Sequence, residues 1–360
     1  MVIEELGAPI ITFVKYRFLL SKFDERRLKA ILNKIIKNHS LRRRLRLLTL
    51  RLNLAVSAEL RGNFTHATGK GFQELSDLLR RDYLPNWYEG TDMNEFLESE
   101  EGRNALENHL IYRLEIHRYN FVPWINSVVN LSNKNILLIG CGTGSSTLSM
   151  AEQGAKVTAL DIDSEALKVA KTRCLIHGIS AVRLIQCNAT EIDSIFGKGE
   201  FDLIVFFAVL EHMTIEERKS ALRAAWNISA TGKHLCIADT PNRLWFYDGH
   251  TSNMPFFHWL PDELAFEYSA HSPRAPFNKI FRKLNTESLL RFIRHGRGMS
   301  FHELDLSLGN DSEYEIVSDM CSYLCRHNPA YLIKHFLSGD FRREKLLNYY
   351  APVRQRVFFR

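Results

Sequence analysis

The chain has 360 residues, 45% of them apolar and 24% charged, with a formal net charge of +6. That size and balance are those of a soluble globular protein with ample core, organised as one large domain or two ordinary ones. No stretch approaches the roughly 18 consecutive apolar residues of a membrane-spanning helix. Glu4, Glu5, Lys15 and Arg17 interrupt the first apolar run, which argues against a secretory signal.

The six cysteines are Cys141, Cys174, Cys187, Cys236, Cys321 and Cys325. Cys141, Cys187 and Cys236 fall in or beside predicted core strands, which suits reduced thiols and a cytoplasmic protein. The charge is uneven. Between Lys15 and Arg51 there are thirteen Lys and Arg against Asp24 and Glu25, an excess of eleven, which leaves the remainder near −5. The basicity therefore belongs to one arm.

In chain order, Leu28, Ile31, Leu32, Ile35 and Ile36 form an apolar stripe at helical spacing, with Arg26, Arg27, Lys29, Lys34 and Lys37 off it. A second basic helix is predicted around residues 41–48. After a break at 62–71, residues 72–83 and 94–129 read as further helices. From residue 135 onward strands alternate with helices, the pattern of a parallel sheet covered on both faces. The predicted strands are 135–139, 156–160, 182–186, 201–206 and 234–238, with helices at 145–153 and 164–177. Residues 240–298 read as an aromatic, mostly irregular insertion with one helix at 286–295. Residues 299–306 read as a sixth strand, 314–341 as helical and 353–359 as a closing strand.

The motif with the most chemistry is Gly140-Cys141-Gly142-Thr143-Gly144, which follows an apolar strand and opens a helix. Glycines allow a tight turn with positive φ and close approach of a ligand to the backbone, and a helix start offers free N–H donors. A loop that uses glycine only to turn from strand to helix would look the same. A dinucleotide loop would carry glycine where Ser145 stands, and a P-loop would end in Gly-Lys-Ser/Thr. The second strand ends in Asp161-Ile162-Asp163. A carboxylate at that tip can accept hydrogen bonds from both ribose hydroxyls, and Asp161 is the predicted one, because Asp163 and Ser164 suit a helix cap. Cys187-Asn188-Ala189 follows the third strand, and Phe207 to Met213 follows the fourth.

Taken together, these segments resemble the class I S-adenosylmethionine-dependent methyltransferases. The shared features are the glycine loop, the acid ending strand two, the polar turn after strand three, Asp202 at the start of strand four and Leu210-Glu211-His212 after it. The resemblance covers residues 135–239. It implies an α/β, Rossmann-like, doubly wound sheet of seven strands with the last antiparallel, preceded by an N-terminal helical region and carrying an insertion after strand five. It implies S-adenosylmethionine as cofactor, held by residues 140–144, by Asp161 and Ile162, by Asn188 and Ala189 at the adenine, and by Phe207 near the sulfonium. Asn188 stands where many members have Asp; its amide oxygen can accept the same hydrogen bond.

The acceptor pocket is expected beyond strands four and five, where ligands sit in open parallel sheets. Asn242, Arg243, Trp245, Tyr247 and Trp259 combine polar and aromatic groups suited to orienting an acceptor, and His250, His258 and His212 are the candidate catalytic residues. The same aromatics would also serve to pack the insertion, and the same histidines to hold loops. Cys321, Cys325 and His327 fall short of a four-ligand set, and no metal is expected.

The predicted organisation is an N-terminal helical region over 1–130, comprising a basic amphipathic arm at 15–62 and lid-like helices at 72–130. A methyltransferase domain over 131–360 carries the acceptor insertion at 240–298. The expected activity is methyl transfer to an oxygen or nitrogen of a small-molecule, saccharide or lipid-linked acceptor. The alternatives are a dinucleotide-dependent oxidoreductase and a non-catalytic cofactor-binding or scaffold protein. The arm at 15–51 has three readings: a solvated helix face, a contact with anionic lipid headgroups, and, least favoured, nucleic-acid binding.

Overall fold

A computed structural model of the chain describes residues 47, 48, 50, 51, 64–88, 91–274, 277–308, 314–331 and 356–359. Apart from four of its residues, the basic arm at 15–62 lies outside the described residues. No helix among the described residues is long and apolar enough to cross a membrane.

Five strands run parallel at the heart of the sheet: β1 (Asn135–Ile139), β2 (Lys156–Asp161), β3 (Val182–Gln186), β4 (Leu203–Phe207) and β5 (His234–Ala238). β1, β4 and β5 are almost continuously apolar because both faces are covered. Alternation then sorts their side chains. Leu137, Ile139, Ile204 and Phe206 join one core with Ala221, Leu222, Ala225 and Ile228 of helix Ile215–Ile228. Ile136, Leu138, Leu203 and Val205 join another with Phe121, Val122, Trp124 and Ile125.

The strand order is β3-β2-β1-β4-β5-β9-β8, with β8 at Glu315–Asp319 and β9 at Arg356–Phe359. The chain therefore reverses its direction of strand addition between β1 and β4, and the C-terminal ends of these strands open a crevice there.

Three expectations are corrected. The last strand is not antiparallel: β9 pairs in parallel with β5 and with β8. Residues 320–355 separate β8 from β9, long enough for the crossover that parallel neighbours require. Residues 299–306 do not form a strand, because Phe301–Leu308 is a helix. The strand lies in the stretch read as helical, followed there by helix Met320–His327.

The first N-terminal helical run is longer than predicted and covers 69–87. The stretch predicted as one helix over 94–129 is instead divided at Ser99 into helix Met93–Glu98 and a run over 100–126, which Ser99 caps by accepting from the Gly102 N–H. The second run contains two π-helical segments, Asn108–Tyr112 and His117–Phe121. Leu52–Arg360 makes one compact unit, in which Trp124 and Ile125 share a core with β1. The stretch between Met254 and Ile293 has a small core of its own, in which Phe257, Phe266, Phe277, Phe281 and Phe292 pack together. None of the six cysteines is in a disulfide.

Candidate active site

The glycine loop leaves β1 at the crevice. Gly140 and Gly142 have φ of 75° and 49°, a region that a Cβ makes costly. Their surroundings differ. A Cβ on Gly140 would stand 2.5 Å from Val209 Cβ, whereas a Cβ on Gly142 would meet nothing within 4 Å. Gly140 is thus needed for packing, and Gly142 presents open backbone to the crevice. Gly144 caps helix Ser145–Ala151. Cys141 is buried in the sheet core, so only its backbone belongs to the loop surface.

Asp161, at the tip of β2, braces this loop. Its Oδ2 accepts from the Gly142 N–H at 2.7 Å and its Oδ1 from the Asp163 N–H at 3.0 Å. Burial is the main influence on its carboxyl and raises its pKa. Each oxygen keeps a further lone-pair site for a ligand hydroxyl. Next to it Ile162 is 64% exposed, an apolar side chain left uncovered beside a polar cradle. Asp163 caps helix Ser164–Ile176 by accepting from the Glu165 N–H. Asn188 Oδ1 accepts from the Thr190 N–H, and Ala189 is buried behind it. Phe207 ends β4 with its ring 4.3 Å from His117 and 4.7 Å from Phe121.

The N-terminal helices are fastened to the loop by Arg173, whose side chain is fully buried. Its Nε donates to the Thr143 carbonyl and its Nη2 to the His109 carbonyl, each at 2.7 Å. His109 and His117, both buried, lie in the two π-helical segments. The His109 ring is 3.4 Å from Thr143 Oγ1. Burial pushes His117 down to about 3, so it is a neutral imidazole facing Phe207.

On the other side of the crevice, β4 and β5 each end in a non-glycine residue with left-handed backbone, Ala208 (φ 47°) and Asp239 (φ 59°). Such backbone gathers at functional sites. These turns bring Glu211 and Thr240 together: Glu211 is fully buried, and its Oε2 accepts from Thr240 Oγ1 at 3.1 Å. Oε1 of Glu211 is buried with no hydrogen-bond partner among the described residues. It lies 3.9 Å from His212 Nε2 and 3.8 Å from His250 Nε2.

Hydrogen bonds set both tautomers. His212 Nδ1 is 2.8 Å from the Arg294 carbonyl, which can only accept, so Nδ1 carries the proton. His250 Nδ1 is 2.9 Å from Thr251 Oγ1, whose own hydroxyl donates to the Gly296 carbonyl, so here too Nδ1 donates. Both Nε2 lone pairs therefore point into the space beside Glu211. Burial lowers both histidines to about 4 and raises Glu211 to about 8, with the charge of Asp239 adding to the latter. The ring of Trp87, from the N-terminal helices, stands 5.5 Å from His212 and walls this space.

His258 is not part of it. It is buried, its Nδ1 accepts from the Gly298 N–H at 3.2 Å, and its Nε2 lies 3.1 Å from Asp248 Oδ1. Asp248 also accepts the N–H groups of His250, Thr251 and Ser252. With Nδ1 taken by the Gly298 N–H and Nε2 beside Asp248, His258 packs under the turn that carries His250. Tyr247 and Trp259 are exposed and belong, with Trp245, Phe246 and Phe256, to an aromatic patch around the hairpin of β6 (Tyr247–Asp248) and β7 (Met254–Pro255). Asn242 and Arg243 are held by backbone pairing with Met299.

Sequence reasoning placed Glu211 beside His212 without giving it a role, and it passed over Arg173, His109 and His117. The Glu-His pair was the one available signal for Glu211. For the other three there was none, because their partners are backbone carbonyls and rings from distant segments.

A family model described as "Methyltransferase domain" matches residues 136–232. Among curated proteins, the chain is 33% identical over 122 residues to the ubiquinone biosynthesis O-methyltransferase of Pseudomonas aeruginosa, covering 34% of this chain and 50% of that protein. It is 36% identical over 101 residues to the Erwinia tasmaniensis protein of the same name, covering 27% and 41%. The chain thus spans about half the length of the curated relatives it matches. Among solved structures, a SAM-dependent methyltransferase from Methanosarcina mazei is similar at 23% identity and a TM-score of 0.37, covering 54% of this chain and 85% of that one.

Proposed function

This chain carries a class I S-adenosylmethionine-dependent methyltransferase domain, and from that premise we propose that it methylates a hydroxyl oxygen of a small or lipid-linked acceptor. The residues on the cofactor side fit S-adenosylmethionine. Gly142 offers open backbone, Asp161 has oxygens able to accept from ribose hydroxyls, and Ile162 is an uncovered apolar side chain beside them. Residues 140–144, Asp161 and Ile162 would hold the methionine and ribose portions, Asn188 and Ala189 the adenine, and Phe207 the region near the sulfonium. When bound, the cofactor supplies a methyl carbon on a positive sulfur, and the S–C electron pair stays on sulfur as an acceptor lone pair forms the new bond.

The observation that carries the oxygen assignment is the convergence of Glu211 Oε1, His212 Nε2 and His250 Nε2 beyond β4 and β5. A neutral amine needs little help to act as nucleophile, whereas a hydroxyl must lose its proton. Two unprotonated imidazole nitrogens facing one space, with the Glu211 carboxyl beside them, suit the second case. Val209, two residues before Glu211, packs on Gly140, which supports a place for this space near the glycine loop. The exposed Phe246, Phe256 and Trp259, around the hairpin whose turn carries His250, support an acceptor with an apolar body, and the O-methyltransferase relatives support oxygen.

The test is incubation of the protein and cell extract with methyl-labelled S-adenosylmethionine, followed by mass spectrometry. A labelled methyl ether, lost with His250→Ala while cofactor affinity is retained, is the expected result. Label found on nitrogen or carbon would overturn the oxygen assignment.

A further inference from the structure

We propose that Glu211, His212 and His250 form a binding site for one divalent transition-metal ion of the zinc type. The inference deepens the methyl-transfer reading and rests on it for the ion's role, though not for its binding.

The three donor atoms lie within 4.8 Å of one another. Around zinc, tetrahedral ligands at about 2.1 Å stand about 3.4 Å apart. The pair distances of 3.8 and 3.9 Å to Glu211 therefore need only a modest contraction. Two imidazoles and one carboxylate suit zinc, iron, cobalt or nickel, and leave coordination positions open for a ligand.

The surroundings argue for an ion more strongly than the distances do. Metal-bound imidazoles donate their other N–H to a fixed acceptor, which holds the ring and its tautomer. Here Nδ1 of His212 donates to the Arg294 carbonyl, and Nδ1 of His250 donates to Thr251 Oγ1, itself anchored on the Gly296 carbonyl. Glu211 follows the same scheme: Oε2 is held by Thr240, while Oε1 is buried and unpartnered. Every atom pointing away from the shared space is tied down, and every atom pointing into it is without a partner among the described residues. A buried carboxylate oxygen left in that state is costly unless a cation or donor faces it.

The neighbouring arginines do not fill that role. Arg218 spends its fork on the carbonyls of Leu210, Met213, Arg297 and Gly298 and on Glu303. Arg294 turns to Glu217. An acceptor hydroxyl entering the shell of such an ion would become more acidic and would be oriented by it.

The experiment uses the full chain, stripped with a chelator, exchanged into metal-free buffer and titrated with Co2+ while visible absorption is read. S-adenosylmethionine affinity is measured in parallel by calorimetry. Saturation at one equivalent is expected. His250→Ala and Glu211→Gln should each weaken Co2+ at least about 100-fold, since loss of a mere outer partner already costs 10–100-fold. Their cofactor affinity should stay within about threefold of the parent, which also shows that both variants fold. Absence of a saturable signal, or the same signal in parent and both variants, overturns the site. Methyl transfer undiminished by chelation in a protein that binds no Co2+ overturns the ion and leaves the transfer reading standing. Saturable Co2+ binding without any cofactor binding overturns the transfer reading and leaves the ion.

Discussion

Gly140 and Gly142 sit two residues apart with the same sign of φ, yet a methyl group added to each meets different surroundings. Gly140→Ala forces a Cβ into Val209 and should destabilise the fold by about 2 kcal/mol or more, from overpacking and left-handed strain together. Gly142→Ala carries only the strain, about 1 kcal/mol, because nothing stands within 4 Å of its Cβ. Its penalty should appear instead in cofactor affinity, lowered at least tenfold by a methyl group on the surface where the ligand approaches. Thermal unfolding and calorimetry on both variants check this. Equal melting temperatures, or parental affinity in Gly142→Ala, would remove the distinction. The sequence alone shows three glycines at alternate positions and cannot tell these two roles apart, since the difference lies in which distant residue each one faces. The histidines repeat the lesson. His250 and His258 look alike in an aromatic stretch, and only their partners separate a ring that converges on Glu211 from one packed under the turn.

At the scale of elements, Asp202 staples the N-terminal ends of three neighbouring strands. It accepts from the Asn135 N–H at 3.0 Å and from Lys233 Nζ at 2.7 Å, joining the starts of β1, β4 and β5. The hydrogen bond from Lys233 is the main reason its carboxyl is held below the usual value of 3.8. A carboxyl with a lowered folded pKa contributes stability that is present above its unfolded value and lost as pH falls through the folded one. Asp202→Asn should therefore cost about 0.5–1 kcal/mol at neutral pH, a figure kept small by solvent screening, and the gap should close as pH falls from about 4. Urea unfolding of parent and variant between pH 7 and pH 2.5 measures it; a gap that stays constant over that range would refute the account.

The order of β1 to β5 was legible because buried parallel strands are written as short apolar runs between helical stretches. The region after residue 298 was not. Leu304, Leu306 and Leu308 alternate with polar residues and imitate a strand, but Leu306 is 65% exposed while Leu304 and Leu308, one helical turn apart, are buried. Glu303, from the same helix, reaches Arg218. Tertiary packing selected the helix that the local alternation argued against. The Glu211, His212 and His250 cluster was hidden for a related reason: its members come from segments that follow adjacent strands, after the left-handed backbone of Ala208 and Asp239.

Across the whole molecule, the helices over 100–126 belong to the same cooperative structure as the sheet. Trp124 is fully buried with Phe121, Val122 and Ile125 against Ile136 and Leu138 of β1, and Met320, Tyr323 and Leu324 close the same core. Its Nε1–H donates to Ser318 Oγ of β8 at 2.9 Å. One side chain thus ties the N-terminal helices, the first strand and a strand near the far end of the chain into a single apolar layer. Arg173 makes a second tie, from helix Ser164–Ile176 to the glycine loop and the carbonyl of His109. Through these ties the helices over 100–126 share the stability of the sheet and of the glycine loop. If this is so, Trp124→Ala should lower the stability of the entire unit by about 3–5 kcal/mol, the usual cost of removing a buried Trp. The loss should appear as one shifted urea transition, coincident by far-UV circular dichroism and by fluorescence of the remaining tryptophans. Were residues 100–126 an independent lid, the same substitution would split the curve, with the helices melting early and the sheet holding its parental midpoint.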